Sequence, residues 1–165
     1  MGVRVPPPAL EAKPRTVCPG LRYFCPTIEF VARAVQLIRS STLADKAQYV
    51  YAATAPKDAR FIFLAGACPL DADGTTAAVG DYAGQAARCI DTMTQALADA
   101  GAGITDVIST RVLVASNSRH DLVTAWQVVR EAFGTHDVPS TLPGVTVLGY
   151  DHQLVEIEAV AAVGD

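Results

Sequence analysis

The stretch that most constrains this chain is its C-terminal end, residues 139–163, PSTLPGVTVLGYDHQLVEIEAVAAV. It reads as two β-strands joined by a turn. In the second, Leu154, Glu156, Glu158 and Val160 fall on one face, and Val155, Ile157, Ala159 and Ala161 on the other, because strand side chains alternate. A strand that is apolar on one face and carries two carboxylates on the other needs a sheet with a packed side and a polar side. The carboxylates must meet water, cations or a ligand, since an unpaired charge in an apolar setting is costly. Their Cα atoms stand roughly 6.5 Å apart at about 3.3 Å per residue. That spacing suits an acid/base pair, and it suits equally a pair of edge or interface carboxylates matched to arginines.

The remaining chain supplies the layer that such a strand packs on. Residues 81–100 predict a helix, with Tyr82, Ala86, Cys89, Ile90, Met93 and Leu97 recurring at three- and four-residue steps. Asp81, Gln85, Arg88, Gln95 and Asp99 fall opposite, and Gly101 supplies the C-terminal stop. Residues 107–115 predict a strand with Ile108, Val112 and Val114 on one face. Ser118 to Asp121 has capping-box spacing and opens a second helix with the stripe Leu122, Trp126, Val129 and Phe133, ended by Gly134. Upstream, Tyr49 to Ala53 and Phe61 to Ala65 predict a β-hairpin turned through Pro56 and Asp58. The order is therefore ββαβαββ. It specifies an α+β fold, a two-layer domain with two helices on one face of a mixed, mostly antiparallel sheet. The other sheet face keeps apolar residues, which favours burial between subunits.

The length of 165 residues fits one domain with a sizeable core. Its first part differs in character. Pro6, Pro7, Pro8, Pro14 and Pro19 crowd the opening residues, so residues 1–38 are read as a Pro-rich extension, extended or disordered and dispensable for folding, and 39–165 as the domain. Within it, the apolar patch from Phe30 to Ile38 could form helical turns or an added strand. No basic start followed by a long apolar run marks a signal peptide, and no window is apolar enough for a membrane span. A formal charge of −4, with 13 Lys and Arg against 17 Asp and Glu, argues against nucleic acid as the main partner. Cys18 and Cys25 lack a second pair at metal spacing, so the chain is expected to be cytoplasmic with reduced thiols.

Chemistry-bearing motifs are few. His120, His136 and His152 lie in solvent-like contexts without a cysteine at ligand spacing, so no metal and no cofactor is expected. There is no nucleophile elbow and no dinucleotide fingerprint. Cys89 sits on an apolar helical face. Cys68 ends a strand, and with no cation near it in sequence it is expected to pack rather than react. Arg111 is the arginine on a predicted inner strand, expected to bridge to Glu156 or Glu158.

The string LVEIEAVA, a strand opening at Val138-Pro139-Ser140-Thr141, and a helix ending in Glu131-Ala132-Phe133-Gly134 resemble the RidA/YjgF family. That resemblance covers about three-quarters of the chain. It implies a chorismate-mutase-like fold, a homotrimer, and hydrolysis of reactive imines and enamines in clefts between subunits. In the family the strand opening carries P-A-R-[ST], whose arginine grips the substrate carboxylate; aligned through Thr141, that position falls on Ser140. The family's S-G-Q-x-P segment reads here as Ala65-Gly66-Ala67-Cys68-Pro69, keeping the Gly and the Pro. By the same resemblance Glu156 is the catalytic residue that holds the hydrolytic water. Tyr49, Gly66, Ala67, Cys68, Ser140, Thr141 and, more loosely, Gln127 border the ligand.

The resemblance thus implies a deaminase of 2-iminobutanoate/2-iminopropanoate type, divergent at its arginine. Carboxylate-bearing imino acids should turn over poorly unless another cation compensates, whether Arg111, Arg60 or a neighbouring subunit's arginine, and a neutral or differently anchored imine should be preferred. The alternative is a non-catalytic trimer that binds a small metabolite, such as a small carboxylate, or a partner protein through the same cleft. A ribonuclease activity is disfavoured by the acidic charge.

Overall fold

A computed structural model of the chain describes residues 34–44, 46 and 48–164. Its centre is a pair of nine-residue antiparallel strands, β4 (Val107–Ala115) and β7 (Val155–Val163). Strand β3 (Arg60–Phe63) pairs with the far side of β7, antiparallel. Strands β5 (Ser140–Thr141) and β6 (Gly144–Val145) follow one another along the free side of β4, both parallel to it. The sheet order is β3-β7-β4-β5, with β6 also on β4. Helices α1 (Tyr82–Asp99) and α2 (Arg119–Phe133) pack on one face. This is the expected α+β arrangement of mostly antiparallel sheet and two helices.

The alternation read in β7 is the observed one. Val155, Ile157, Ala159 and Ala161 are buried beneath the helices, while Glu156, Glu158 and Val160 are half-exposed on the outer face. The helices follow their sequence signals closely. Asp81 caps α1, its carboxylate accepting from the Ala83 amide at 3.0 Å, and Gly101 follows with φ +73°, a conformation that costs glycine nothing. Ala86, Cys89, Met93 and Leu97 form its buried stripe.

Several details depart from the sequence reading. Strand β4 carries a β-bulge between Val107 and Ser109, where two residues oppose one step of β7. Val107 therefore joins Val112 and Val114 in the core, in the place expected for Ile108. The expected hairpin is absent among the described residues: β2 (Ala52–Thr54) pairs instead with β1 (Gln36–Ile38), and β3 pairs with β7. Alanines in β2 give a hairpin partner little to pack on, whereas Leu37, opposite Ala53, packs against the core. The added strand is thus realised at residues 36–38, behind buried Ala34 and Val35; the earlier part of the Pro-rich segment, with Cys18 and Cys25, lies outside the described residues. The final two strands do not form a hairpin either, since β4 lies between them.

Ser118 stands at the N-cap of α2 without a side-chain cap. Ser116 substitutes: its hydroxyl donates to Asp121 at 2.7 Å and accepts from the Ser118 amide at 2.9 Å. His136 is buried, its Nε2 at 2.8 Å from the Val107 carbonyl, rather than solvent-facing. Among the described residues, no helix is long and apolar enough to cross a membrane.

Gln85 was expected on the polar face of α1 and is instead fully buried. Its amide donates to the His152 carbonyl at 2.9 Å and accepts from the Leu154 amide at 2.7 Å, fixing the chain where it enters β7. The same turn has His152 at φ +62°. Gln85→Ala should lower unfolding free energy by about 2–3 kcal/mol, since it removes two hydrogen bonds and strands a backbone donor. Urea denaturation of the variant against the native chain measures this.

Candidate functional site

The outer face of the sheet holds the polar chemistry, and the strand register decides which groups meet there. Arg111 stands opposite Glu158 in the β4–β7 ladder, and Leu113 opposite Glu156. Arg111 Nη1 donates to Glu158 Oε2 at 3.0 Å, with side chains 58% and 39% exposed. The ion pair expected from sequence is therefore formed, and its carboxylate is that of Glu158.

Glu156 takes a different environment. Beyond β3 the chain returns to β7 at Ala67, whose amide donates to the Ile157 carbonyl at 2.8 Å and whose carbonyl accepts from the Ile157 amide at 3.1 Å. This brings Gly66 directly beneath the Glu156 carboxylate: a Cβ at Gly66 would collide with Glu156 Oε1. Only glycine permits so close an approach. Glu156 Oε2 accepts from Gln153 Nε2 at 3.0 Å and from the Cys68 thiol at 3.6 Å, leaving Oε1 without a hydrogen-bond donor among the described residues.

Between the end of β3 and β4, over β7, lies a cleft of about 360 Å³ lined by Phe63, Gly66, Ser109, Arg111, Glu158 and Val160, among others. It joins the Arg111–Glu158 pair to the glycine on which Glu156 rests.

The other sequence candidates separate into distinct places. Ala67 points its methyl into the core and spends both backbone groups on Ile157, so its amide does not face a ligand. Ser140 is the register partner of Thr110, and the two hydroxyls bond at 2.7 Å while Ser140 also donates to the Val138 carbonyl at 3.0 Å. Thr141, the partner of Arg111, is exposed. Tyr49 packs edge-to-face on Trp126, ring centroids 5.8 Å apart, and lines with Ser140 a small pocket against α2. Gln127 is exposed on α2 and lines neither cavity. Thus Glu156, Gly66 and Cys68 come together, whereas Tyr49, Ser140 and Gln127 stand apart from them within this chain.

Gln153 is the neighbour of Glu156 that the sequence did not reveal. It is buried, and a turn rather than a periodic element aims its amide at Glu156. Among the described residues, no three His, Cys, Asp or Glu side chains gather as a metal site would require. The Cys68 thiol has its pKa raised, first by desolvation and then by the Glu156 charge, which outweigh the Gln153 hydrogen bond. Cys89, deep under β7 with its thiol 3.5 Å from the Val155 carbonyl, is raised further by burial.

Residues 40–163 match the family model described as endoribonuclease L-PSP. The chain belongs to that family, the RidA/YjgF proteins. A RutC family protein of Pyrococcus abyssi is 33% identical over 105 residues, covering 64% of this chain and 80% of the relative. Among solved structures, a Rid family protein of unknown function from Yersinia pestis, YyfB, superposes with a TM-score of 0.72 at 23% identity, covering 79% of this chain and 99% of the other. Rv2704 of Mycobacterium tuberculosis, of the YjgF/YER057c/UK114 family, gives 0.53 at 28% identity, covering 78% and 99%. The RidA/YjgF fold accounts for the helix-covered sheet with its free outer face.

A raised thiol pKa keeps Cys68 protonated at neutral pH, so its alkylation should be slow there and should accelerate only as the pH rises through that elevated value. Glu156→Gln removes the second-largest cause of the shift and should speed iodoacetamide labelling of Cys68 at fixed pH. Mass spectrometry of the labelled peptide reads both effects.

Proposed function

We propose that this protein hydrolyses small reactive imines or enamines, releasing ammonia, in clefts formed at the outer sheet face of a homotrimer. The observation that carries this reading is the Glu156 carboxylate, held from one side by Gln153 and set against Gly66, with no donor to Oε1 among the described residues. A carboxylate so fixed can hold a water and take its proton as the oxygen adds to the imine carbon. The resulting carbinolamine collapses when its nitrogen gains a proton and leaves as ammonia, and the carbon becomes a carbonyl. No redox partner or metal enters this balance.

The surface opposite the helices supports assembly. Phe63 is 78% exposed and Phe61 47% exposed on that face, and Val160 stands beside Phe63 in the ladder. Further copies of the chain would take these rings out of water.

One observation favours a second reading. Arg111 is engaged by Glu158, and Ser140 by Thr110, as suits a non-catalytic trimer that binds a small metabolite or partner. Ribonuclease activity, although named in the family description, fits poorly with a charge of −4, because RNA binding rests on phosphate contacts from a basic surface.

Ammonia release from freshly generated 2-iminopropionate separates the two readings. The native chain should catalyse it, and Glu156→Ala should reduce the rate by about 10²–10⁴-fold, the range for loss of a general base. No release above the uncatalysed rate, either from 2-iminopropionate or from an imine without a carboxylate, would leave the binding reading. Light scattering should report a trimer at micromolar concentration, and Phe63→Asp should shift it toward monomer; a native monomer would refute the assembly.

A further inference from the structure

We propose that Arg111 is the anchor for a carboxylate-bearing ligand in the outer-face cleft, with Glu158 orienting its guanidinium and setting how strongly it binds. The identity of the ligand as a small imine rests on the function proposed above; the anchor itself rests on the geometry of the cleft.

The cleft of about 360 Å³ lies within the size range of small-molecule sites, and among the described residues Arg111 is the cation that lines it. Arginine differs from lysine in presenting a planar fork that matches a carboxylate with two parallel hydrogen bonds. Only Nη1 of Arg111 is spent on Glu158, and Nη2 and Nε donate to no described residue. One edge of the guanidinium is therefore committed and the rest is exposed, with the Ser109 side of β4 and the Gly66 backbone on the same cleft wall.

The position relative to Glu156 gives this arrangement a use. Glu156 and Glu158 lie on one face of β7 two residues apart, roughly 6.5 Å at the strand rise, and Arg111 stands across from Glu158. A carboxylate held by Arg111 would place its ligand in the cleft that also reaches Gly66, the residue on which the Glu156 carboxylate rests.

Charge sets the strength. Arg111 and Glu158 together present no net charge, and Glu156 adds a negative one nearby, so a monoanion should bind only weakly to the native chain. A half-exposed pair contributes little to folding; altering either member should therefore leave the unfolding midpoint near the native value.

The probe is 2-oxobutyrate, a stable keto acid with the carboxylate of the corresponding imine, titrated into native and variant full-length protein and followed by NMR. Native protein should bind it saturably. Arg111→Gln should weaken binding at least tenfold, about 1.4 kcal/mol, and Arg111→Lys should restore part of it. Glu158→Gln keeps an oxygen to orient the guanidinium while removing the opposing charge, so it should tighten binding several-fold. Unchanged affinity in Arg111→Gln, weakening in Glu158→Gln, or no saturable binding to either the native chain or Glu158→Gln would overturn the proposal.

Ammonia release separates this inference from the function it sits beside. Turnover that requires Glu156 but is indifferent to Arg111→Gln refutes the anchor and keeps the hydrolase. Arg111-dependent binding of 2-oxobutyrate without ammonia release keeps the anchor and refutes the hydrolase.

Discussion

The antiparallel ladder between β4 and β7 is the interaction on which everything else in this molecule depends. Each strand alternates between a face that the helices bury and a face that they leave open. Because side-chain direction has a period of two, a single register choice settles both faces at once. The same pairing that drives Val112, Val155 and Ile157 beneath the helices sets Arg111 against Glu158 and leaves Glu156 over Gly66. Core and site are two sides of one set of backbone hydrogen bonds, so the polar cluster is positioned by the ladder that also builds the core.

Much of this was legible in the sequence because the signals were periodic. The alternation of residues 154–161, the helical stripes, and the stop at Gly101 each follow from a local rule that tertiary packing had no reason to override. The failures fall where a local rule is silent. Gln85 looked like a surface residue because its helix position is polar; it is buried because its amide substitutes for a missing backbone partner at the turn into β7. The hairpin expected between β2 and β3 had a plausible turn, yet pairing was decided by which neighbour offered apolar surface.

The candidate site was legible in part for the same reason. Glu156 lies far in sequence from the neighbouring pair Gly66 and Cys68, and the resemblance to a family brought them together. Their contact comes from strand register that no spacing rule displays. Gln153 was invisible, since a turn residue's aim is set by backbone torsions and not by periodicity. The pairing of Arg111 was expected in kind, but choosing between Glu156 and Glu158 required knowing that Leu113 occupies the place opposite Glu156. Ser140 shows the reverse case: it was expected to border the ligand, and its hydroxyl is engaged by Thr110 and Val138.

The bulge at the start of β4 has a consequence for how the strand can change. Val107 and Arg111 have the same parity, yet one lies in the core and the other reaches solvent. Ile108 absorbs the half-period between them, so the two ends of the strand are out of phase and are held separately. A one-residue change of length usually turns a strand inside out. Here the bulge works as a joint that takes up such a slip, and the end that carries Arg111 can stay in place while the segment entering from α1 is lengthened or shortened.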